Sequence, residues 1–148
     1  MKQTLILLAI ASIFFTSCKD SKHYFIEMSP LKKDAWTYKD TLHFRPVIKE
    51  KGAYRIVAVA RHTKEYEFSN VWLKIGRDGK ESRVDIPLFD LKGNPTGECS
   101  GRLCTQARIV NDSIVLQADT LDIFLIQNMR RNPLTGITDA GIIIDKLN

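Results

Sequence analysis

Cysteine, histidine and arginine are the residue types best placed to do chemistry in this 148-residue chain, which carries three cysteines and three histidines. Cys99 and Cys104 lie in Gly97-Glu98-Cys99-Ser100-Gly101-Arg102-Leu103-Cys104. The C-x4-C spacing with a glycine inside fits the closing of a turn. In an exported chain a disulfide is the leading expectation, and so small a loop limits its entropic gain to roughly 2 kcal/mol. Free thiols are the alternative. A metal site would need two further ligands, and no histidine stands near in sequence. The spacing is also not the C-x-x-C of thioredoxin-like enzymes. His23, His43 and His62 each fall on a strand or its end, in no ligand-spaced cluster. Ser100 has Gly101 after it but lacks the G-x-S-x-G of a nucleophile elbow. No glycine-rich loop precedes a helix to cradle phosphate. Asp85, Asp119 and Asp122 read as surface or turn residues. These residues carry the expectation of no catalytic group, no cofactor and no metal, hence no enzyme.

Cys18 has a different setting. Met1-Lys2-Gln3-Thr4 supplies one positive charge, and an apolar run from Leu5 to Phe15 follows. That run is too short to cross a bilayer, which takes about 20 residues, but it suits the apolar centre of a secretory signal. Thr16-Ser17-Cys18 then resembles a lipobox, with Phe15 where leucine is more usual. Small residues let a signal peptidase reach the backbone, and the thiol takes the lipid. The rival is an ordinary cleaved signal that happens to contain a cysteine. Residues 1–17 thus read as a lipoprotein signal peptide. Residues 18–22 read as the lipidated Cys18 with a short polar tether, and 23–148 as one domain. Removing residues 1–17 takes away Lys2 and no acid, leaving 21 basic against 17 acidic residues, or +4. The basic residues are scattered, so no nucleic-acid arm is present.

The elements that must position these groups are short. Turn signals recur at Glu50-Lys51-Gly52, Arg77-Asp78-Gly79, Lys92-Gly93-Asn94-Pro95, Asn111-Asp112-Ser113 and Asn132-Pro133. Between them run β-branched and aromatic stretches: His23 to Met28, Thr41 to Ile48, Tyr54 to Arg61, Val71 to Ile75, and Val84 to Phe89. Ala107 to Val110 and Ile114 to Ala118 flank a tight turn, and Asp122 to Met129 and Gly141 to Asp145 complete the series. Pro87 marks an edge or a bulge. Arg102 to Asn132 lacks glycine and proline, and Leu121, Phe124, Leu125 and Asn128 have helical spacing. Strand is preferred there because isoleucine and valine favour it and polar pairs interrupt the run. The pattern predicts an all-β chain: a single antiparallel β-sandwich of about eight or nine short strands.

Two features could bind. Trp36, Tyr38, Tyr54, Tyr66 and Trp72 would suit a carbohydrate platform if exposed, although aromatic residues in a small sandwich more often pack. The segment Gln127-Asn128-Met129-Arg130-Arg131-Asn132-Pro133-Leu134-Thr135-Gly136-Ile137-Thr138-Asp139-Ala140-Gly141 is long for a strand connection. Arg130, Arg131, Leu134 and Ile137 are its candidate partner contacts. The rival is a loop folded over the core by Leu134 and Ile137.

The same segment resembles the gliding motility lipoprotein GldH family of the Bacteroidota. So do Arg61-His62-Thr63-Lys64-Glu65-Tyr66-Glu67-Phe68-Ser69-Asn70-Val71-Trp72-Leu73 and Trp36-Thr37-Tyr38-Lys39-Asp40-Thr41-Leu42-His43-Phe44. The resemblance implies a lipid-anchored cell-envelope protein, most simply in the outer membrane facing the periplasm. It implies support for gliding and its coupled secretion apparatus through contacts with other envelope proteins. It implies no reaction, no nucleic acid and no small-molecule substrate. The alternative function is a carbohydrate- or peptidoglycan-binding β-sandwich lipoprotein. The Cys99 and Cys104 pair is not a feature the resemblance brings with it.

Overall fold

The computed structural model describes residues 23–148. The expected signal peptide, Cys18 and the tether up to Lys22 lie outside the described residues. Thirteen strands follow in chain order: β1 Phe25–Pro30, β2 Ala35–Trp36, β3 Leu42–Phe44, β4 Val47–Ile48, β5 Gly52–Thr63, β6 Asn70–Arg77, β7 Lys80–Pro87, β8 Glu98–Ser100, β9 Leu103–Leu116, β10 Asp119–Thr120, β11 Ile123–Gln127, β12 Leu134–Thr135 and β13 Ile137–Lys146. A 3-10 turn at Lys32–Asp34 is the one helical element among the described residues.

All pairings of these strands are antiparallel. One sheet has five strands in the order β1-β13-β5-β9-β8, and the other has four in the order β3-β11-β6-β7. Two-residue ladders join β10 to β4 and β12 to β2. The chain is therefore an all-β antiparallel sandwich, as the alternating pattern predicts. Val71, Leu73 and Ile75 of β6 face inward with Ile123 and Leu125 of β11. They meet Tyr54, Ile56, Ala58 and Ala60 of β5 and Ala140, Ile142 and Ile144 of β13 in one apolar core. Each fully buried aliphatic side chain stabilises the fold by about 1.5–3 kcal/mol relative to exposure. Turn chemistry sets the registers. Asp78 and Gly79 have φ of 52° and 73°, the two left-handed residues that a tight β6–β7 hairpin requires.

Several elements differ from the sequence pattern. Thr41 to Ile48 is not one strand: β3 joins the four-stranded sheet and β4 pairs with β10. Buried Pro46 between them has no N–H to continue a ladder. Asn111-Asp112-Ser113 is not a turn. It lies inside the 14-residue β9. There Tyr54 pairs with Ile114 and Ile56 with Asn111, so β9 carries an extra residue, and a second register shift follows by Ile109. Polar residues at a bulge bend the strand without ending it. Arg55 Nε holds Asp112 Oδ1 at 2.9 Å across this bulge. The helical spacing of Leu121, Phe124, Leu125 and Asn128 is overridden, because β11 is flanked on both sides by β3 and β6. Pro87 ends β7, an outer strand of its sheet.

The two ends of the sandwich differ. Where β1 begins, Tyr24 N donates to the Ile144 carbonyl at 2.8 Å, and its hydroxyl donates to the Val47 carbonyl at 3.2 Å. The opposite end holds the last residues of β5, the start of β13 and the β2–β12 ladder, in which Trp36 faces Leu134.

Candidate functional site

The connection from β11 to β13 is held from beneath. Gln127 is buried, and its Nε2 donates to the Arg131 carbonyl at 3.1 Å and the Trp36 carbonyl at 3.4 Å. Its Oε1 accepts the Met129 N–H at 2.8 Å. A buried amide left without partners would cost about 1–3 kcal/mol, so these bonds tie the corner to the core. Tyr38 braces the other side. Its hydroxyl donates to the Met129 carbonyl at 2.6 Å, and its N–H donates to Asn132 Oδ1 at 3.0 Å. The turn beneath Tyr38 is closed by Asp40. The Thr37 hydroxyl and N–H hold this carboxyl below the usual aspartate range. The Asn132–Pro133 peptide is cis. The Arg130 and Arg131 side chains leave this braced corner exposed.

Leu134 and Ile137 are fully buried, so the expectation that they contact a partner does not hold. Leu134 pairs with Trp36 in the β2–β12 ladder, and Ile137 opposes His62 at the start of β13. The long loop of the sequence reading is consequently shorter. β13 begins at Ile137, four residues before the glycine that opened the expected strand.

Arg130 and Arg131 border a cleft of about 440 Å³ with Phe68, Trp72, Arg83 and Met129. Trp72 projects outward from β6 and is 40% exposed, whereas Trp36 is wholly buried and donates its indole N–H to the Asp40 carbonyl at 2.7 Å. The Trp72 N–H points at Met129 Sδ, 3.2 Å away, and its carbonyl accepts the Asn128 N–H at 2.8 Å. These contacts fix the loop against β6. A second depression, of about 390 Å³, shares Trp72 and Arg83 and runs on to Arg108 and Ile109 of β9, with Asp85 on its wall. Asp85 is engaged by Asn70 Nδ2 at 2.6 Å. None of Arg83, Arg108, Arg130 and Arg131 forms an ion pair with a described residue, in contrast to Arg55, Arg61, Arg77 and Arg102.

Sequence reasoning singled out Arg130 and Arg131 but not Arg83, Arg108, Phe68 or the bracing Gln127. It weighed Trp72 only as one aromatic among five. The available signal is alternation along Val71 to Ile75, which sets Trp72 on the face opposite Val71, Leu73 and Ile75.

The other candidate groups are dispersed. His23 contacts Asp145 near the start of β1, and His43 contacts Asp122 at 2.9 Å on β3. His62 is buried, with Nδ1 donating to the Thr63 carbonyl at 2.8 Å and Nε2 without a partner. Burial pushes its pKa down. Cys99 and Cys104 face each other across β8 and β9 and are disulfide-bonded. Gly101, at φ 61°, occupies the left-handed position of the hairpin they close. Among the described residues no group of three or more histidine, cysteine, aspartate or glutamate side chains is placed to hold a metal ion.

No curated protein matches the chain. A family described as GldH lipoprotein matches residues 23–144, nearly the whole of the described domain. That span includes β1 through most of β13, together with the Arg130–Arg131 corner and Trp72. The chain belongs to the GldH lipoprotein family.

Proposed function

We propose that this lipoprotein is a non-catalytic accessory component of a cell-envelope machine, supporting gliding motility and its coupled secretion apparatus through protein contacts. A lipid on Cys18 holds it in the outer membrane, with the domain in the periplasm. The observation that carries the reading is the Arg130–Arg131 corner, exposed and fixed by Gln127 and Tyr38 beside half-exposed Trp72. A backbone ordered in advance loses little entropy on binding. Arginine presents a planar fork that meets a carboxylate with two hydrogen bonds.

The test is crosslinking of the native lipoprotein in cells. Arg130→Ala with Arg131→Ala should abolish partner capture and leave the melting temperature within a degree or so, as expected for exposed positions. Leu134→Ala should instead lower stability by about 2–5 kcal/mol, the cost of a core cavity. Capture that persists in the double arginine variant makes the corner structural and defeats the reading.

A carbohydrate-binding role is the second reading, and exposed Trp72 is the observation that favours it. Buried Trp36 contributes nothing to such a surface.

A further inference from the structure

The cleft beside Trp72 has a one-sided hydrogen-bonding character. Arg83, Arg130 and Arg131 can only donate, and Asn128 is the lone neutral side chain there with an acceptor. Phe68, Trp72 and Met129 supply the remaining wall. A sugar offers hydroxyls that donate as well as accept, so many of its O–H groups would find no match. A carboxylate only accepts, and it meets guanidinium groups with two parallel bonds. The arginines continue past Trp72 to Arg108, on the neighbouring depression that Trp72 and Arg83 also line. Four guanidinium groups without acidic partners therefore flank one exposed indole along a continuous track. Asp85 is the one carboxylate on this track and is engaged by Asn70 Nδ2 at 2.6 Å, so the four arginines leave a positive excess that an anionic occupant would stabilise.

We propose that this track is the seat of an acidic, extended segment of a partner protein, its carboxylates on Arg83, Arg108, Arg130 and Arg131 and an apolar side chain against Trp72 and Met129. The inference rests on the reading that the lipoprotein works by protein contacts, and it names the chemistry of the contact. Met129 is suited to the apolar position because its flexible thioether adapts to varied side chains.

The two tryptophans make the test direct, because a neutral quencher such as acrylamide reaches 40%-exposed Trp72 and not buried Trp36. The detergent-solubilised lipoprotein is titrated with a short peptide of glutamates interspersed with leucine. Binding should shield the quenchable fluorescence and weaken as salt rises from about 0.05 M to 0.5 M, as screening lengths fall. Trp72→Phe should remove the quenchable signal. Arg83→Ala with Arg108→Ala, positions outside the Arg130–Arg131 corner, should weaken binding by about tenfold or more, at 1.4 kcal/mol per factor of ten. A lysine–leucine peptide should not bind.

Polygalacturonate binding as tightly as the peptide at equal carboxylate concentration overturns the peptide assignment in favour of an acidic polysaccharide. Peptide binding that leaves Trp72 quenchable, or that survives loss of Arg83 and Arg108, overturns the site. Absence of peptide binding while partner capture in cells still depends on Arg130 and Arg131 overturns the acidic occupant alone. Loss of that dependence defeats the underlying reading instead.

Discussion

At the scale of single residues, the molecule separates groups that hold the fold from groups that remain available. Gln127 bonds the backbone of Trp36, Met129 and Arg131, and Tyr38 bonds the Met129 carbonyl and the Asn132 side chain, which leaves Arg130 and Arg131 positioned and uncommitted. His62 is the opposite case. It is buried between Tyr66 and Phe89, whose rings lie 6.2 Å and 5.0 Å from its own. Its Nδ1–H satisfies the Thr63 carbonyl, so the Nε2 lone pair is orphaned. Burial lowers the pKa below the ordinary value of 6.5, against the smaller opposing effect of the Thr63 bond. The unfolded chain therefore takes up a proton at a higher pH than the folded one. Stability is full above pH 6.5 or so and falls as the pH drops below it toward the depressed folded pKa. His62→Phe keeps a ring of similar size and has no proton to gain. The variant should lose its Thr63 bond, worth about 0.5–1.5 kcal/mol at neutral pH, and should flatten this part of the stability curve. Denaturant melts between about pH 7.5 and 5.5 measure both effects. A wild-type curve no steeper than that of His62→Phe assigns the acid sensitivity elsewhere.

At the scale of elements, the weak point is the joint between β1 and β13. Met28 pairs with Gly141, where an added Cβ would lie 2.2 Å from the Glu27 carbonyl oxygen and 2.9 Å from the Met28 Cα. Backbone cannot yield as a side-chain tip does, so β1 must move away. Gly141→Ala should destabilise the domain by about 1–3 kcal/mol, the usual range for overpacking. It should selectively speed amide exchange across Phe25–Pro30. Unchanged protection of β1 would show that the strand accommodates the methyl. Gly141 illustrates what the sequence does and does not disclose. It reads as a strand residue from its apolar neighbours, but the close approach of β1 appears only once Met28 is set opposite. The same holds elsewhere. The alternation of Val71, Leu73 and Ile75 and the Asp78-Gly79 turn are local signals, and β6 and β7 follow from them. Asn111-Asp112-Ser113 has the composition of a turn, yet pairing along β5 outweighs it and makes a bulge. Leu134 and Ile137 look available in an irregular segment until Trp36 and His62 are placed against them. The cleft was half legible. Paired arginines in a loop are visible locally and Arg83 is brought beside Trp72 by the β6–β7 hairpin, whereas Arg108 joins them only because β7 and β9 are brought together in space.

At the scale of the whole molecule, the point where the described chain enters and the Arg130–Arg131 corner sit at different ends of the sandwich. The chain enters at β1, beside Ile144 and Val47. β11 runs from Ile123, paired with Phe44 just before β4, to Gln127 beneath the arginine corner. β5 spans 12 residues, roughly 40 Å at about 3.3 Å per residue. Cys18 stands five residues before the first described residue, at the end of the domain where the chain enters and not at the Arg130–Arg131 corner. Among the described residues the core lies within residues 31–144, with Tyr24 and Phe25 packed against it. Cys18→Ala should accordingly remove metabolic fatty-acid label and shift the protein from the membrane to the soluble fraction. Each buried lipid CH₂ is worth about 0.8 kcal/mol, and among the described residues no helix is long and apolar enough to cross a membrane. The released protein should keep its melting temperature and bind the glutamate–leucine peptide as before, while partner capture at the membrane falls with the loss of local concentration. Fatty-acid label that survives in Cys18→Ala removes the lipid from this cysteine. A lowered melting temperature or lost peptide binding in the released protein would instead join the anchor segment to the domain and break the division between the two ends.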